Sequence, residues 1–466
     1  MHKKNVTLLI VLFSGTLLFC GCSSFDGDKT RKDHAAAFEQ SLIEKTVQAL
    51  PQKIALRLED CIRIALENNL SIRSSEIQTR IAKLERKISF SNFLPVLDLN
   101  YQYTRFDPQL KRKFGTMEIA MSDQKVQEIT WQAQMSIFNP LTWLLYSMHV
   151  RGEEIANIAH EYTKQMTVLH VTILYFHCLS LQEVKSALES QLAFASTLEE
   201  ELRAFEEEGL IADWQAEQAG VMVLARKTDI ERVQRAICQV KADILSAMGL
   251  APLSDLSLEM DMPLQPPQEP LESLITEALI SHPEVHIADR QVAIEERKVE
   301  LSVSVFLPTI MGFASYVDSS DSFLKYSDYW VTGLAGTLRV FDGFANVNAY
   351  KLAREQRKDA YIRREQASLA LMIKVVKAHL NMTNAEGEMV LAEQFQGVAS
   401  KRFAEIEEKW REGLVSSSEM LGVTAERDSA QMQVMAARFQ HQISIATLIN
   451  AIGRTDTSVE EQNNDN

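Results

Sequence analysis

The sequence predicts a mainly α-helical, internally duplicated chain with a small β portion that other copies of the chain complete in a membrane. Three observations support this prediction. Turn-forming residues are scarce, with 17 Gly and 11 Pro among 466 residues, so the elements are few and long. The two halves of the chain resemble each other. Each half also holds short segments of alternating apolar and polar residues, a pattern typical of membrane β-strands.

The composition excludes several classes of protein. Hydrophobic residues make up 46% of the chain, so it folds rather than staying disordered. The net charge of −15 excludes a nucleic-acid partner, because phosphate backbones bind basic surfaces. Five cysteines without paired C-x-x-C spacing predict neither a zinc site nor a disulfide framework. We expect Cys61, Cys178 and Cys238, which lie in apolar helical stretches, to be buried and inert.

The N-terminus has the pattern of a secretory signal peptide, which we place at residues 1–21. Lys3 and Lys4 precede an apolar stretch that is too short to cross a bilayer comfortably. Cys22 follows a small residue, as in the lipobox of bacterial lipoproteins, and Ser23 resembles the signal for sorting to the outer membrane. We therefore expect lipidation at Cys22 and a lipidated N-terminal segment over 22–57, with an ordinary cleaved signal as the alternative.

Internal duplication is the strongest pattern in the sequence. Residues 58–95 align with 271–308 without a gap and are identical at 12 of 38 positions, and both blocks end in Phe-Leu-Pro. Two further pairs of blocks match at shifts of 203 and 204 residues. The predicted divisions are a first repeat at 58–250, a Pro-rich connector at 251–270, a second repeat at 271–453 and a polar tail at 454–466.

Each repeat is predicted to begin with a helix and to contain one very long helix. Residues 58–94 hold no Pro and carry apolar residues at helical spacing, and Pro95 ends the pattern. Residues 141–208 hold no Pro either, which predicts a helix of roughly 100 Å at 1.5 Å per residue and implies a coiled coil. Its partner at 212–250 is shorter. The two short helices of a repeat could therefore stack end to end along the long one.

Between the first helix and the long helix, the apolar period changes to two. Segments of nine to eleven residues carry an apolar, aromatic-rich face and a polar face, which favours strands of a membrane barrel over a solvated hairpin in an exported protein. The second repeat shows the pattern less cleanly, at about 309–318 and 330–341. The residues expected on the outer, lipid-facing side are Leu97, Leu99, Tyr101, Tyr103, Trp131, Met135 and Ile137.

Two strands in each repeat give four strands per chain, which cannot close a barrel. Open sheet edges are not tolerated in lipid, so several chains must complete the wall. Three chains would supply 12 strands, an even number within the bacterial range. In such an assembly the strand hairpins would cluster at one end, and the long helices would project the other way for roughly 100 Å.

The duplicated helix–Phe-Leu-Pro–strand blocks, the paired Gly-Leu-[Ile/Val] turns and the lipobox resemble the TolC-like outer membrane factor family over about 58–453. This resemblance implies a homotrimeric efflux conduit, with a trimeric 12-stranded β-barrel in outer membrane lipid continued by a long α-helical coiled-coil barrel through the periplasm. It also implies docking to a periplasmic adaptor (membrane fusion) protein and an inner-membrane pump. Lipidated members look most like the branch that serves resistance-nodulation-division pumps.

The turns of the two helical hairpins carry the candidate functional residues. A Gly in each turn suits a left-handed position, and Asp213 or Ser416 is expected to cap the next helix. The resemblance adds adaptor docking by these tips. It also matches Glu419 to an acidic pore constriction, although the first repeat has Gln215 there and a solvated first-turn Glu is the alternative. The predicted docking residues are Gly209, Leu210, Ile211, Asp213, Gly413, Leu414, Val415 and Ser416.

No catalytic constellation, phosphate loop or metal-ligand spacing is recognisable, so neither an enzyme nor a cofactor is predicted. Two other functions stay open from the sequence. One is an outer membrane duct for proteins exported by an ABC transporter. The other is a periplasmic coiled-coil lipoprotein without a pore.

Overall fold

The computed structural model describes residues 26–50, 55–259 and 264–454. Long helices dominate this part of the chain, and the strands form one four-stranded sheet and one small hairpin. The helices are α1 (Gly27–Ala49), α2 (Leu58–Asn68), α3 (Leu70–Ser91), α4 (Pro140–Glu207), α5 (Asp213–Ala247), α6 (Leu271–Ser281), α7 (Pro283–Ser304), α8 (Ala345–Arg411) and α9 (Ser417–Ala451). The strands are β1 (Val96–Arg105), β2 (Lys111–Phe114), β3 (Met117–Ala120), β4 (Lys125–Phe138), β5 (Thr309–Ser319) and β6 (Asp328–Thr337).

The single helix predicted over 58–94 is wrong, because the chain breaks it at Asn69. The backbone of Asn69 is extended, and its side-chain oxygen accepts hydrogen bonds from the N–H groups of Ser71 (2.7 Å) and Ile72 (3.1 Å). The same side chain donates to the carbonyl of Ala247, the last residue of α5, at 2.7 Å. One amide thus satisfies the start of α3 and the end of α5, and it joins these two short helices end to end along α4.

His282 occupies the equivalent position in the second repeat, 213 residues later, between α6 and α7. Its Nδ1 accepts a hydrogen bond from the N–H of Glu284 at 3.2 Å. The side chain is fully buried, and Nε2 has no hydrogen-bond partner among the described residues. Burial, followed by the charge of Lys374, lowers the pKa of His282 to about 4, while Glu284 opposes this shift and His286 adds to it.

His282 is expected to make the second repeat sensitive to acid. Its pKa falls from 6.5 to about 4 on folding, so the unfolded chain binds the proton more readily and stability falls as pH falls from 6.5 towards 4. This linkage costs about 2 kcal/mol per chain between pH 7 and pH 5. Replacing His282 by Asn, which the first repeat has here, should remove that loss, as measured by urea unfolding at both pH values.

His286→Asn is the matched control for this measurement, because His286 lies one helical turn away and is only half-buried. It should leave the pH dependence of the unfolding midpoint close to that of the native sequence. An equal flattening by His286→Asn and His282→Asn would contradict the assignment of the acid sensitivity to His282.

The four-stranded sheet has the order β1-β4-β5-β6, and all of its neighbouring strands are antiparallel. Leu99 pairs with Trp131, Trp131 with Tyr316, and Tyr316 with Trp330, so one apolar band crosses all four strands. β1 and β6 lie at the two edges and have no outer partner among the described residues. β4 is longer than predicted, at 14 residues, and β6 ends at Thr337 rather than near 341.

The opposite face of the sheet differs between the two hairpins. On β4 it is polar, with Thr130, Gln132, Gln134 and Ser136. On β5 the residues paired with them are Val317, Ser315, Phe313 and Met311, of which only Ser315 is polar. The weaker alternation of the second repeat is therefore a real difference in the side chains on this face.

Two elements escape the sequence prediction. Helix α1 lies inside the segment for which only lipidation was expected, and the N–H of Ala251 donates to the Thr46 hydroxyl on it at 2.9 Å. Strands β2 and β3 form a small hairpin around Gly115, whose φ is +65°. The predicted signal peptide, Cys22 and residues 455–466 of the predicted tail lie outside the described residues.

The largest buried cluster lies where α2, α4 and α5 meet the connector. Tyr175 is fully buried there, and its hydroxyl donates to the carbonyl of Glu259. Cys61 and Cys178 are buried nearby, and burial raises the pKa of these thiols to about 12 and about 11, so they stay protonated and unreactive. Cys238 is exposed, which corrects the expectation that it would be buried.

Candidate functional site: the helical tips

Each repeat ends its long helix in a tight turn that reverses the chain into the next helix. Gly209 and Gly413 have φ values of +76° and +73°, in the left-handed region that favours glycine. The N–H of Gly209 donates to Glu206 O at 2.9 Å, and the N–H of Leu210 donates to Phe205 O at 2.8 Å. The second turn makes the same pair of bonds, so both helices end in a Schellman motif that leaves a leucine directly after the glycine.

The caps that start the next helices differ between the two tips. Ser416 caps α9 as expected, since its hydroxyl accepts a hydrogen bond from the N–H of Glu419 at 3.3 Å. The expectation that Asp213 caps α5 is wrong. Asp213 is the first residue of the helix, Ala212 is the N-cap residue, and the side chain of Gln215 accepts from the N–H of Ala212 at 3.2 Å. The carboxylate of Asp213 instead stabilises α5 through its favourable interaction with the positive end of the helix dipole.

The predicted docking residues divide into projecting and packed side chains. Leu210 is 66% exposed and Leu414 is 71% exposed, so both present a large apolar group to solvent. Ile211 is half-buried against a cluster that joins the two hairpins, which we call the tip core. The buried residues of the tip core are Leu198, Leu202, Ala216, Ala219, Phe403, Met420, Leu421 and Val423.

The surface around the two leucines is strongly acidic. Residues 199–217 hold eight carboxylates and one cation, and residues 405–419 hold five carboxylates and two cations. Burial, and then a hydrogen bond with Asp213, raise the pKa of Glu206, as expected where two carboxylates crowd together. A partner of these tips therefore needs apolar groups for the leucines and cations for the surrounding carboxylates.

Glu419 lies in the first turn of α9 with its side chain exposed. The pKa of Lys409 is raised mainly by its hydrogen bond to Glu405. The negative charge of Glu419 raises it further, which places Glu419 near this lysine. Gln215 is its counterpart in the first repeat and donates to the Ser418 hydroxyl at 3.4 Å. The starts of α5 and α9 therefore lie side by side at the tips.

A buried charged group farther along the hairpins escaped the sequence analysis. The side chain of Asp428 on α9 is only 3% exposed. It accepts hydrogen bonds from Arg427 at 2.7 and 3.1 Å and lies 3.7 Å from Arg226 of α5. Burial raises the pKa of Asp428, against the lowering effect of Arg427 and then Arg226, so its charge is costly here.

Aromatic rings from the other two long helices complete this group. The guanidinium of Arg427 lies 4.0 Å from the ring centroid of Phe403 on α8 and 5.0 Å from that of Phe194 on α4. Asp428 and its arginines therefore connect all four helices of the two hairpins. The sequence gives no sign that Asp428 is buried, because it is one of many charged residues on a long helix. Its position beside Arg427 and Phe403 becomes visible only in the folded structure.

The residues predicted on the outer side of the barrel lie together on one face of the sheet. Leu99 and Trp131 are directly paired, and the others occupy alternate positions on β1 and β4, so all seven share a face. Each of them is exposed in the single chain. Among the described helices, none has both the length and the apolar content needed to cross a membrane. The described residues contain no group of three His, Cys, Asp or Glu side chains placed to hold a metal ion.

Residues 274–454 match the family model for outer membrane efflux proteins. The second repeat is therefore similar to this family. The efflux-protein match begins within α6 and includes β5, β6, α7, α8 and α9. The first repeat has the same order of elements apart from the added β2–β3 hairpin. None of the curated proteins matches the chain.

Solved structures of outer membrane channels share the fold over 85% to 87% of the chain, which includes most of the residues outside the efflux-protein match. CusC, described as forming a transmembrane channel, has a TM-score of 0.77 at 14% identity, covering 86% of this chain and 93% of its own. The outer membrane protein VceC of Vibrio cholerae has a TM-score of 0.75 at 14% identity, with 85% and 96% covered. The CmeC outer membrane channel of Campylobacter jejuni has a TM-score of 0.75 at 14% identity, with 87% and 88% covered. The family resemblance drawn from the sequence is confirmed.

Proposed function

We propose that three copies of this chain form an outer membrane channel that conducts the substrates of a tripartite efflux system. The observation that carries this proposal is the four-stranded sheet. Its edge strands β1 and β6 have no outer partner in the part of the chain that the structure describes, and its apolar band crosses every strand. Pairing β6 of each copy with β1 of the next removes every open edge and gives a closed barrel of 12 strands. Lipidation at Cys22 adds a second membrane anchor.

The helical tips are proposed to dock a periplasmic adaptor protein, which connects the channel to an inner-membrane pump. The α4 helix of 68 residues and the α8 helix of 67 residues carry the tips roughly 100 Å from the strands, far enough to reach into the periplasm. Leu210 and Leu414 are the proposed apolar anchors, and the carboxylates around them select a basic partner surface. Three copies of Glu419 at this level would form an acidic ring that favours cations.

A charge on the lipid-facing side of the barrel is expected to prevent assembly. Trp131→Lys places an ammonium against the hydrocarbon, which costs about 2–4 kcal/mol per chain near the bilayer midplane. Gln132→Lys is the matched control, because it places the same charge on the next residue and the opposite face of β4. We expect Trp131→Lys to lose most of the trimer seen by gel electrophoresis of unheated outer membranes, and Gln132→Lys to keep it. Equal trimer yields for the two variants would contradict the proposed barrel.

Removal of the two tip leucines is expected to weaken adaptor binding without loss of stability. Each exposed leucine buried in an interface contributes about 1.5–3 kcal/mol, so Leu210→Ser with Leu414→Ser should lower co-purification of the adaptor at least tenfold. Leu253→Ser is the control, since Leu253 is 98% exposed but lies in the connector far from the tips. The unfolding midpoint should stay unchanged in both variants. Adaptor recovery from the double variant at the level of Leu253→Ser would exclude the tips as the docking site.

A further inference from the structure

The small hairpin β2–β3 lies at the end of the sheet farthest from the helices. It connects Arg105, the last residue of β1, to Lys125, the first residue of β4, whereas α3 and α4 adjoin the other ends of these strands. If the sheet spans the outer membrane as proposed, this hairpin stands at the outer surface of the cell. The inference below rests on that orientation and extends it to the lipid around the channel.

The pairing of β2 with β3 separates two chemically different faces. Arg112 pairs with Ile119 and Phe114 pairs with Met117, and the N–H of Met121 donates to Leu110 O, so these residues share one face. The apolar members of this face are 45% to 68% exposed. We call it the apolar hairpin face, and it consists of Leu110, Arg112, Phe114, Met117, Ile119 and Met121.

The charge of the hairpin is opposite to that of the chain. Lys111, Arg112 and Lys113 are consecutive cations in a protein with a net charge of −15. Glu118 is the one acid of the two strands, and it lies 3.8 Å from both lysines, so two positive charges stay uncompensated. The corresponding segment of the second repeat, from Asp318 to Asp328 inclusive, carries three acids and one lysine. The cations are therefore a local feature of this hairpin.

The base of the hairpin is fixed to the neighbouring loop. The N–H of Asp123 donates to the carboxylate of Asp321 at 3.0 Å, and the N–H of Ser322 donates to the carboxylate of Asp123 at 2.7 Å. The side chain of Gln109 also donates to Ser122 O at 2.8 Å. These bonds hold the hairpin at the rim of the sheet, where its two faces keep a defined direction.

We propose that β2–β3 is a lipid-docking hairpin that lies on the outer leaflet beside the barrel. The apolar hairpin face enters the acyl region, which removes five large side chains from water. The two lysines on the opposite face reach back along the leaflet, and with Arg112 they bind the phosphate groups of the surrounding lipids. Cations beside an exposed apolar face are the combination that a leaflet of anionic lipids attracts. Lys111 and Lys113 lie near Glu118, and Arg112 lies over the Phe114 ring, but the hairpin keeps a net positive charge.

Fluorescent labels on the two faces test this proposal. Met117→Cys places a label on the apolar hairpin face, and Ala120→Cys places a matched label on the opposite face of the same hairpin. The background replaces the exposed Cys238 by Ser, while Cys61 and Cys178 are buried. The sulfur of a lipidated Cys22 is a thioether, which does not react with the label. The labelled trimers are reconstituted into phosphatidylcholine vesicles with and without phosphatidylglycerol.

In the anionic vesicles, the label at 117 should shift to shorter wavelength and be quenched by nitroxide-bearing lipids, while the label at 120 stays open to aqueous iodide. The combined variant K111Q, R112Q and K113Q should lose most of the quenching by lipid. Each cation removed should weaken the attraction of the hairpin to the anionic leaflet about fivefold. Iodide quenching at 117 equal to that at 120 would overturn the proposal, and so would a label at 117 shielded from both quenchers. Channel conductance in the same vesicles reports the barrel separately, so its failure would instead count against the proposed function.

Discussion

Gly249→Ala is expected to destabilise the first repeat by about 3–5 kcal/mol, because the new methyl group would meet the backbone where α5 joins α3. A Cβ at this position would lie 2.3 Å from the carbonyl oxygen of Asn68, and the φ of Gly249 is +69°. The left-handed conformation alone costs an alanine about 1–2 kcal/mol. The remainder comes from the clash, which only a shift of the backbone can relieve. Urea unfolding of the detergent-solubilised protein measures the total.

Two other glycines separate these contributions. Gly413 has a φ of +73° and open space around the position of a Cβ. Gly413→Ala should therefore show only the cost of holding an alanine in the left-handed conformation. Gly397→Ala lies within α8 with nothing near its Cβ and should stabilise by up to about 1 kcal/mol. If Gly249→Ala costs no more than Gly413→Ala, the two short helices do not pack as tightly as their geometry indicates.

Asp428→Ala is expected to destabilise the four-helix region near the tips by about 2–3 kcal/mol. Removal of one partner of a fully buried ion pair costs about 3–5 kcal/mol, and the smaller value applies because the side chains of Arg226 and Arg427 are 22% and 21% exposed and can reach water. Hydrogen exchange should accelerate in the segments around residues 226 and 428 and stay unchanged in the strands.

The exposed ion pair between Arg402 and Glu426 is the control for this variant. It lies in the same region, with an N–O distance of 2.6 Å, but its side chains are 54% and 35% exposed. Glu426→Ala should therefore cost less than about 1 kcal/mol. Equal losses of unfolding free energy in Glu426→Ala and Asp428→Ala would contradict the view that burial makes Asp428 the more important of the two carboxylates.

The lengths of the elements could be predicted because long helices and strands depend on local rules. The absence of Pro and the scarcity of Gly predict α4 and α8, and the alternation of residues predicts β1 and β4. The break at Asn69 was missed because apolar residues continue at helical spacing on both sides of it, although asparagine favours a helix cap over a helix interior. In the second repeat Pro283, at the first position of α7, was a usable sign of the same break.

The site was predictable only where it rests on turn chemistry. Gly209 and Gly413 mark the tips, but the sequence does not separate the projecting Leu210 from Ile211, which packs into the tip core. That difference follows from the direction in which the chain leaves the Schellman motif. The β2–β3 hairpin was missed because its strands are only four residues long, too short for alternation to stand out from the surrounding loop.

The unequal inner faces of the two β-hairpins determine what a passing molecule would meet. In a closed trimer, the polar residues of β4, including Gln132 and Gln134, would line one sector of the lumen. Phe313, Met311 and Val317 of β5 would line the next sector. The wall of the lumen would then carry three hydrophilic stripes and three lipophilic stripes that alternate around the barrel. An amphiphile could keep its apolar part against a lipophilic stripe and its polar part against a hydrophilic stripe throughout its transit. A uniformly hydrated pore would offer the apolar part no such contact.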